Sequence, residues 1–196
     1  MARGEALFRQ GDRLAALYQV RSGQFKSGHS DPGGRYQVTA FPTVGEWLGL
    51  DGIGTDRHCF DVVALESAVV VPWCYDQWMH RLNGDATLQH DFHQTMSREI
   101  VRNQALLLLL GTLTAEGRVA AFVLDLSDRL CGSGQPGLSL VLRMTRNEIG
   151  SYLGLTLETV SRTLSKLQSE GLLGIDCRRL QVLDAPALRR MAHRAA

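Results

Sequence analysis

At 196 residues the chain suits one or two domains, and 21 Lys+Arg against 20 Asp+Glu leave a formal net charge of +1. Its four cysteines, Cys59, Cys74, Cys131 and Cys177, are dispersed with no CxxC pair, which argues against a zinc ribbon and against a disulfide framework. No signal peptide is read, and the longest apolar run, residues 105–110, is far too short to span a bilayer. No membrane partner is expected, and a reduced cytoplasm is the expected compartment.

The charge is unevenly placed. From residue 138 onward nine Lys+Arg accompany five Asp+Glu, a net of +4, while the rest of the chain carries −3. A basic end on a mildly acidic body fits a nucleic-acid partner held by one end only.

In chain order, GEALFRQGD reads as a strand and turn, and ALYQVRSGQFKSG as two strands about a Ser22-Gly23 turn. SDPGGR is a hairpin tip, RYQVTAFP another strand, and FDVVALESAVVVPW two more. Short strands with turn signals and no helix between them predict a β-sandwich or jelly-roll barrel. Gly45, Gly49, Gly52 and Gly54 fall in the loop 42–59. They could offer backbone amides to a phosphate, but no lysine or helix follows in P-loop fashion, so tight barrel corners are the expected role.

Residues 75–82 read as a short helix closed by Asn83-Gly84, and 85–111 as one long helix. Its C-terminal half, ALLLLL, is apolar nearly all round, which one sheet cannot cover. A second copy of the helix would cover it, so a parallel two-fold homodimer seam is expected through Met96, Ile100, Asn103, Leu107 and Leu110. The alternative is burial between two domains of one chain. Residues 114–129 form a further amphipathic helix with Val119, Phe122, Val123 and Leu126 inward and Arg118, Asp125 and Asp128 outside the stripe. CGSGQPG is a loop, and SLVLRM a strand.

The stretch 145–173 then holds two helix patterns joined by a short break. Thr145 and Glu148 make a capping box, Gly154 stops the first helix, and Thr156 caps a second whose apolar residues are Val160, Leu164 and Leu167. This is a helix-turn-helix. Glu158, Ser161 and Arg162 share the outer face of the first two turns of the second helix, where such helices meet base edges. Arg can bond both acceptors of guanine, Glu can accept from a cytosine amino group, and Ser can serve base or phosphate. The plainer alternative is a solvated face with a Glu158–Arg162 salt bridge. Thr145, Arg146, Thr156, Thr159 and Lys166 are expected to contact phosphate or support the readers. LLGIDCRRLQVLD predicts a hairpin around a Cys177–Arg179 turn, a wing whose Arg178 and Arg179 suit phosphate. APALRRMAHR is a short basic helix.

On LYQVRSGQFKS, VGEWLGLDGIG, VVALES, MSREI…NQALLLLL and the 145–173 stretch with its Glu158, Ser161 and Arg162 signature, the chain resembles the Crp/Fnr superfamily of transcription regulators, Fnr/Anr-like branch, over essentially its whole length. The resemblance implies an α+β fold. Its parts are a cyclic-nucleotide-binding-like β-roll (residues 1–82), a long dimerisation helix (83–112) and a winged helix-turn-helix (113–196). It also implies double-stranded DNA with a palindromic TTGAT-type operator as target. RNA polymerase is a further implied partner, touched through the tip holding Asp31, Gly33, Gly34 and Arg35, with activation the expected outcome.

Departures from the family bear on cofactors. Fnr-type sensors hold a [4Fe–4S] cluster with thiolates, three from an N-terminal extension not seen in this sequence, and Val71 aligns where the fourth belongs. Cys74 stands three residues later; buried structural roles are expected for Cys59 and Cys74. The loop GLDGIGTDRHCFD lacks the Glu and Arg-Ser/Thr pair that holds cyclic AMP in relatives. Haem would need a histidine, and His58 and His80 are expected to be surface or capped residues. No cofactor is therefore expected. Asn103 stands where an Fnr-type protein can carry an acid, and it removes like-charge repulsion across the seam. The competing function is a small-molecule or redox-sensing β-roll module whose DNA-binding domain has a reduced role. With no G-x-S-x-G, H-E-x-x-H or P-loop, an enzyme is not expected.

Overall fold

The computed structural model describes residues 1–131 and 139–192. They fall into two compact units, residues 1–105 and 106–196. Of the loop expected at 131–137, Cys131 is the last residue of a helix, and residues 132–137, like the end of the last helix from residue 193, lie outside the described residues.

The first unit is a β-roll of two sheets. One has strand order β1 (Ala6–Phe8), β6 (Asp61–Ala64), β3 (Phe25–Ser30), β4 (Tyr36–Ala40); the other has β5 (Trp47–Leu48), β2 (Ala16–Ser22), β7 (Val69–Cys74). All pairings are antiparallel. The Ser22-Gly23 turn is present, but β2 and β3 belong to different sheets, so it is a corner and not a hairpin. Gly23 is required there twice over: its φ is +86°, and a Cβ would come 2.6 Å from the Ala68 Cβ. The two-residue β5 and a 3-10 turn at Leu50–Gly52 lie inside the glycine-rich loop. Gly45 and Gly49 there sit at positive φ, in keeping with corner roles.

Inward residues of both sheets make one core cluster: Phe8, Val20, Phe25, Leu48, Val62, Ala64 and Ala68. A second cluster joins β2 to α1 (Tyr75–Gly84) and the start of α2 (Ala86–Thr112) through Leu14, Leu17, Trp78, Leu82 and Phe92. Trp47 and Trp73 pack against it, with Trp78 ring centroids 5.1 Å from each. Asp85 ends α1 in extended conformation, and its Oδ1 accepts from the N–H of Thr87 (2.9 Å) and Leu88 (3.0 Å), which starts α2 afresh. At 27 residues, α2 is about 40 Å long. Glu46, in the turn before β5, accepts from the Thr43 N–H (2.9 Å) and from Arg102 on α2 (2.9 Å).

In the second unit, α3 (Ala115–Cys131) supplies Val119, Phe122, Val123 and Leu126 to a core completed by Ile149, Leu153, Val160, Leu164, Leu167, Leu173, Leu180 and Leu188. Leu167 is fully enclosed; truncating a leucine of that kind to Ala costs about 2–5 kcal/mol. The sheet β8 (Ser139–Val141), β10 (Arg179–Val182), β9 (Leu173–Asp176) and helix α6 (Ala185–Ala192) finish the unit.

Two expectations are corrected. Cys59 and Cys74 are exposed, as is Cys177: on β7 the side chains alternate, and Trp73 takes the inner position. His58 is not at the surface, and its Nδ1 lies 3.6 Å from Asp51. It is 4% exposed and stacks on Phe8 at 3.6 Å. His80 is exposed on α1.

Candidate nucleic-acid interface

The site is built on α4 (Arg146–Leu153) and α5 (Leu157–Ser169). The capping box forms: Glu148 N–H donates to Thr145 Oγ1 (3.2 Å), and Thr145 N–H donates to Glu148 Oε2 (2.7 Å). Gly154 closes α4 at φ 63°, ψ 39°, a left-handed conformation that glycine adopts without penalty. Thr156 caps α5, its Oγ1 accepting from the Thr159 N–H at 3.2 Å. The two threonines also bond through their hydroxyls at 3.0 Å. Thr145, Thr156 and Thr159 therefore hold the helix starts as supports, whatever else they touch.

Helix α5 buries Val160, Thr163, Leu164 and Leu167. Glu158 and Arg162 are exposed on the other side, with Ser161 half-buried beside them. Among the described residues no ion pair joins Glu158 to Arg162. The pair the plainer alternative required is not made, and both groups face outward with their hydrogen-bonding capacity unspent. Leu157, at the first turn, is 43% exposed, a position the apolar count alone assigned to neither face.

The flanking cations differ from one another. Lys166 pairs with Glu116 of α3 and approaches Glu170. Arg146 is half-buried, with Nη1 enclosed and without a hydrogen-bond partner among the described residues. Burial holds its guanidinium below the ordinary arginine value, though it stays charged. Arg178 and Arg179 are exposed at the β9–β10 hairpin. Arg179 pairs with Asp176 in the ladder, so the turn is Cys177–Arg178, with Cys177 at φ 52°.

Residues 117–191 match the Crp-like helix-turn-helix domain family, and residues 1–80 match the cyclic nucleotide-binding domain family. The transcriptional regulatory protein btr of Bordetella pertussis is 41% identical over 189 residues, covering 96% of this chain and 78% of the relative. The chain belongs to the Crp/Fnr family of transcription regulators. The transcriptional activator protein FnrA of Stutzerimonas stutzeri is 36% identical over 188 residues, 96% of this chain and 77% of the relative. The structure of FixK2 from Bradyrhizobium japonicum superposes with a TM-score of 0.89 at 30% identity, covering 100% of this chain and 96% of that one. The Crp/Fnr relatives are transcription regulators, not enzymes, and the helix-turn-helix makes DNA the partner of this end of the chain. Among the described residues no helix is long and apolar enough to cross a membrane.

The family raises two groups to be tested against the β-roll. A cyclic nucleotide brings a phosphate, which needs donors. In the loop after β5 the consecutive N–H groups of Cys59 (2.6 Å) and Phe60 (3.2 Å) already donate to Asp51 Oδ2, so an internal carboxylate takes this pair of amides. Burial raises the Asp51 pKa, but His58 and those amides outweigh it and hold the carboxyl below its ordinary 3.8. Arg57, the loop's one arginine, is exposed and donates to the Gly11 carbonyl at 2.7 Å. These residues do not fit a cyclic nucleotide. An iron–sulfur cluster needs several thiolates together, and among the described residues no group of three or more His, Cys, Asp or Glu could hold a metal ion. Val71, on β7, is 37% exposed. His58 has a ring face covered by Phe8 and its Nδ1 3.6 Å from Asp51, so it does not fit a haem ligand.

Proposed function

We propose that the protein is a homodimeric activator of transcription that reads a palindromic TTGAT-type operator in the cytoplasm and acts without a bound cofactor. The observation that carries this reading is the exposed, unpaired state of Glu158 and Arg162 on the first turns of a capped helix. Ser161 lies beside them, and Arg178 and Arg179 stand on the wing for phosphate. Arg146 and Lys166 assist as phosphate contacts, Lys166 by exchanging Glu116 for the backbone. Leu157 adds an apolar surface suited to a thymine methyl.

The dimer is supported by α2. Ile100 (56% exposed), Val101 (60%), Leu107 (69%) and Leu108 (66%) leave apolar surface open in pairs seven residues apart, the spacing of a coiled-coil seam. Asn103 is exposed next to them. Met96 packs on the chain's own aromatic cluster and Leu110 is half-buried, so both flank the seam. Activation is supported by the activator names of relatives such as FnrA, and a polymerase contact by the exposed tip Asp31, Gly33, Gly34 and Arg35, held by the Arg35 N–H on Asp31 Oδ1 (2.9 Å). Arg162→Ala in a DNA shift assay tests the reading. Specific binding is lost while weak, salt-sensitive binding through Arg178 and Arg179 remains; unchanged specific binding contradicts it.

A further inference from the structure

Arg118 lies outside the apolar stripe of α3, and solvent is the expected surrounding for such a side chain. It is half-buried instead, and each of its three guanidinium nitrogens donates to a backbone carbonyl. Nη2 donates to the Leu110 carbonyl (2.7 Å), Nε to the Leu113 carbonyl (3.0 Å) and Nη1 to the Leu153 carbonyl (3.2 Å). Leu110 is in the last turn of α2 and Leu113 just follows it; Leu153 is the last residue of α4. All belong to the second unit.

Carbonyls at a helix C-terminus lack intrahelical donors, and the negative end of the helix dipole gathers there. Two such ends converge on one cation. Among the described residues no carboxylate forms an ion pair with Arg118, so its charge is answered by these carbonyls alone. Gly154 belongs to the same arrangement: a Cβ there would lie 3.6 Å from Arg118 Nη1 and 3.8 Å from a Leu110 methyl. Only two residues, Leu113 and Thr114, separate α2 from α3, and a link that short still leaves the helices free to pivot unless something fixes the angle.

We infer that Arg118 is a positioning residue for DNA binding: it locks the first helix of the helix-turn-helix to the end of the dimerisation helix, and so sets the separation of the two reading helices in a dimer. This rests on the dimeric DNA-binding reading above. A two-fold reader gains over a single one through effective concentration, which falls when the two modules are not held at the right separation. A planar fork reaching three acceptors is an arginine property, and lysine cannot reproduce it.

Two measurements on the full chain test this. In the first, wild type, Arg118→Lys and Arg118→Ala are titrated against a single half-site, a two-half-site palindrome, and palindromes lengthened or shortened by one base pair. Both variants are expected to bind the single half-site as wild type does, to weaken on the palindrome by roughly tenfold or more, and to lose the wild-type preference for one spacing. Half-site binding also reports that the variants are folded. In the second, hydrogen exchange is followed without DNA. The amides of Leu113 and Leu155, which bond Leu109 and Gly150, are expected to open together in both variants while those of Val119–Leu126 stay protected. Unchanged spacing preference with unchanged exchange overturns the inference, as does equal loss on half-site and palindrome. Should wild type itself show no palindrome preference, the DNA reading fails, and the exchange measurement alone decides whether Arg118 locks the helices.

Discussion

The two units use their polar side chains in opposite ways. In the second unit Glu158 and Arg162 point out and make no pair with each other, and Arg178 and Arg179 stand exposed on a wing. In the first unit the comparable groups are turned on one another. Asp51 accepts from the amides of its own loop, His58 is sealed against Phe8, Glu46 takes Arg102, and Arg57 takes a carbonyl. The contrast separates what is bound from what is sensed. A surface prepared for a partner leaves donors and acceptors open, because each one already satisfied internally must be released before it can bind. By that criterion the outer face of α5 is ready, while the Cys59 and Phe60 amides of the β-roll loop are already taken by Asp51.

The largest expected effect strikes at α2, which serves both units. Replacing Leu107 and Leu108 by Asp leaves carboxylates unpaired in an apolar seam, a loss of about 3–5 kcal/mol. Sedimentation at micromolar concentration should show a dimer for wild type and a monomer for the variant; a dimeric variant, or a dilution-independent wild-type monomer, removes the seam. Next comes Arg162→Ala, expected to lose about 1–3 kcal/mol per half-site and to relax the base preference at one position. Equal loss on every sequence would reassign Arg162 to phosphate. Thr145→Ala breaks the capping box for about 1 kcal/mol, read as a lower urea midpoint by hydrogen exchange in α4, with the β-roll unaffected.

The smallest effect belongs to the first unit. The Asp51 carboxyl ionises below its ordinary 3.8 when folded, so the stability it contributes is present above that value and is lost as pH falls below it through the lower folded value. Acid unfolding followed by tryptophan fluorescence reports this unit alone, since Trp47, Trp73 and Trp78 all lie in it. Asp51→Asn should flatten the profile in that window; an identical acid limb would mean the loop does not depend on the carboxylate.

How far the sequence carried depended on whether the deciding interactions were local. The capping box, the Gly154 stop, the polar face of α5 and the wing are set by residues within a few positions of each other, and all were legible. Sheet membership is not local. Ser22-Gly23 announces a turn, but nothing near it says that β2 pairs with β5 and β7 while β3 goes to β6 and β4. The cysteines misled because burial was inferred from residue type, whereas strand alternation on β7 gave the inner side to Trp73 and turned Cys74 out. Arg118 was invisible for a related reason. Its periodicity placed it outside the stripe of α3, and only the convergence of two other helix ends gave it partners. Met96 was placed in the seam by its spacing alone, and it packs against the cluster of Leu14, Leu17, Trp78, Leu82 and Phe92.

Recognition of a two-fold DNA sequence through the outer face of α5 stands at the centre of the proposed function. It is tested most directly by fluorescence anisotropy at one fixed salt concentration, comparing a duplex carrying two inverted TTGAT half-sites with the same duplex scrambled. A preference of about 10³-fold or more for the palindrome is expected, falling toward the scrambled value when Arg162 is replaced by Ala. Equal affinity for both duplexes, with the same salt dependence, would contradict it.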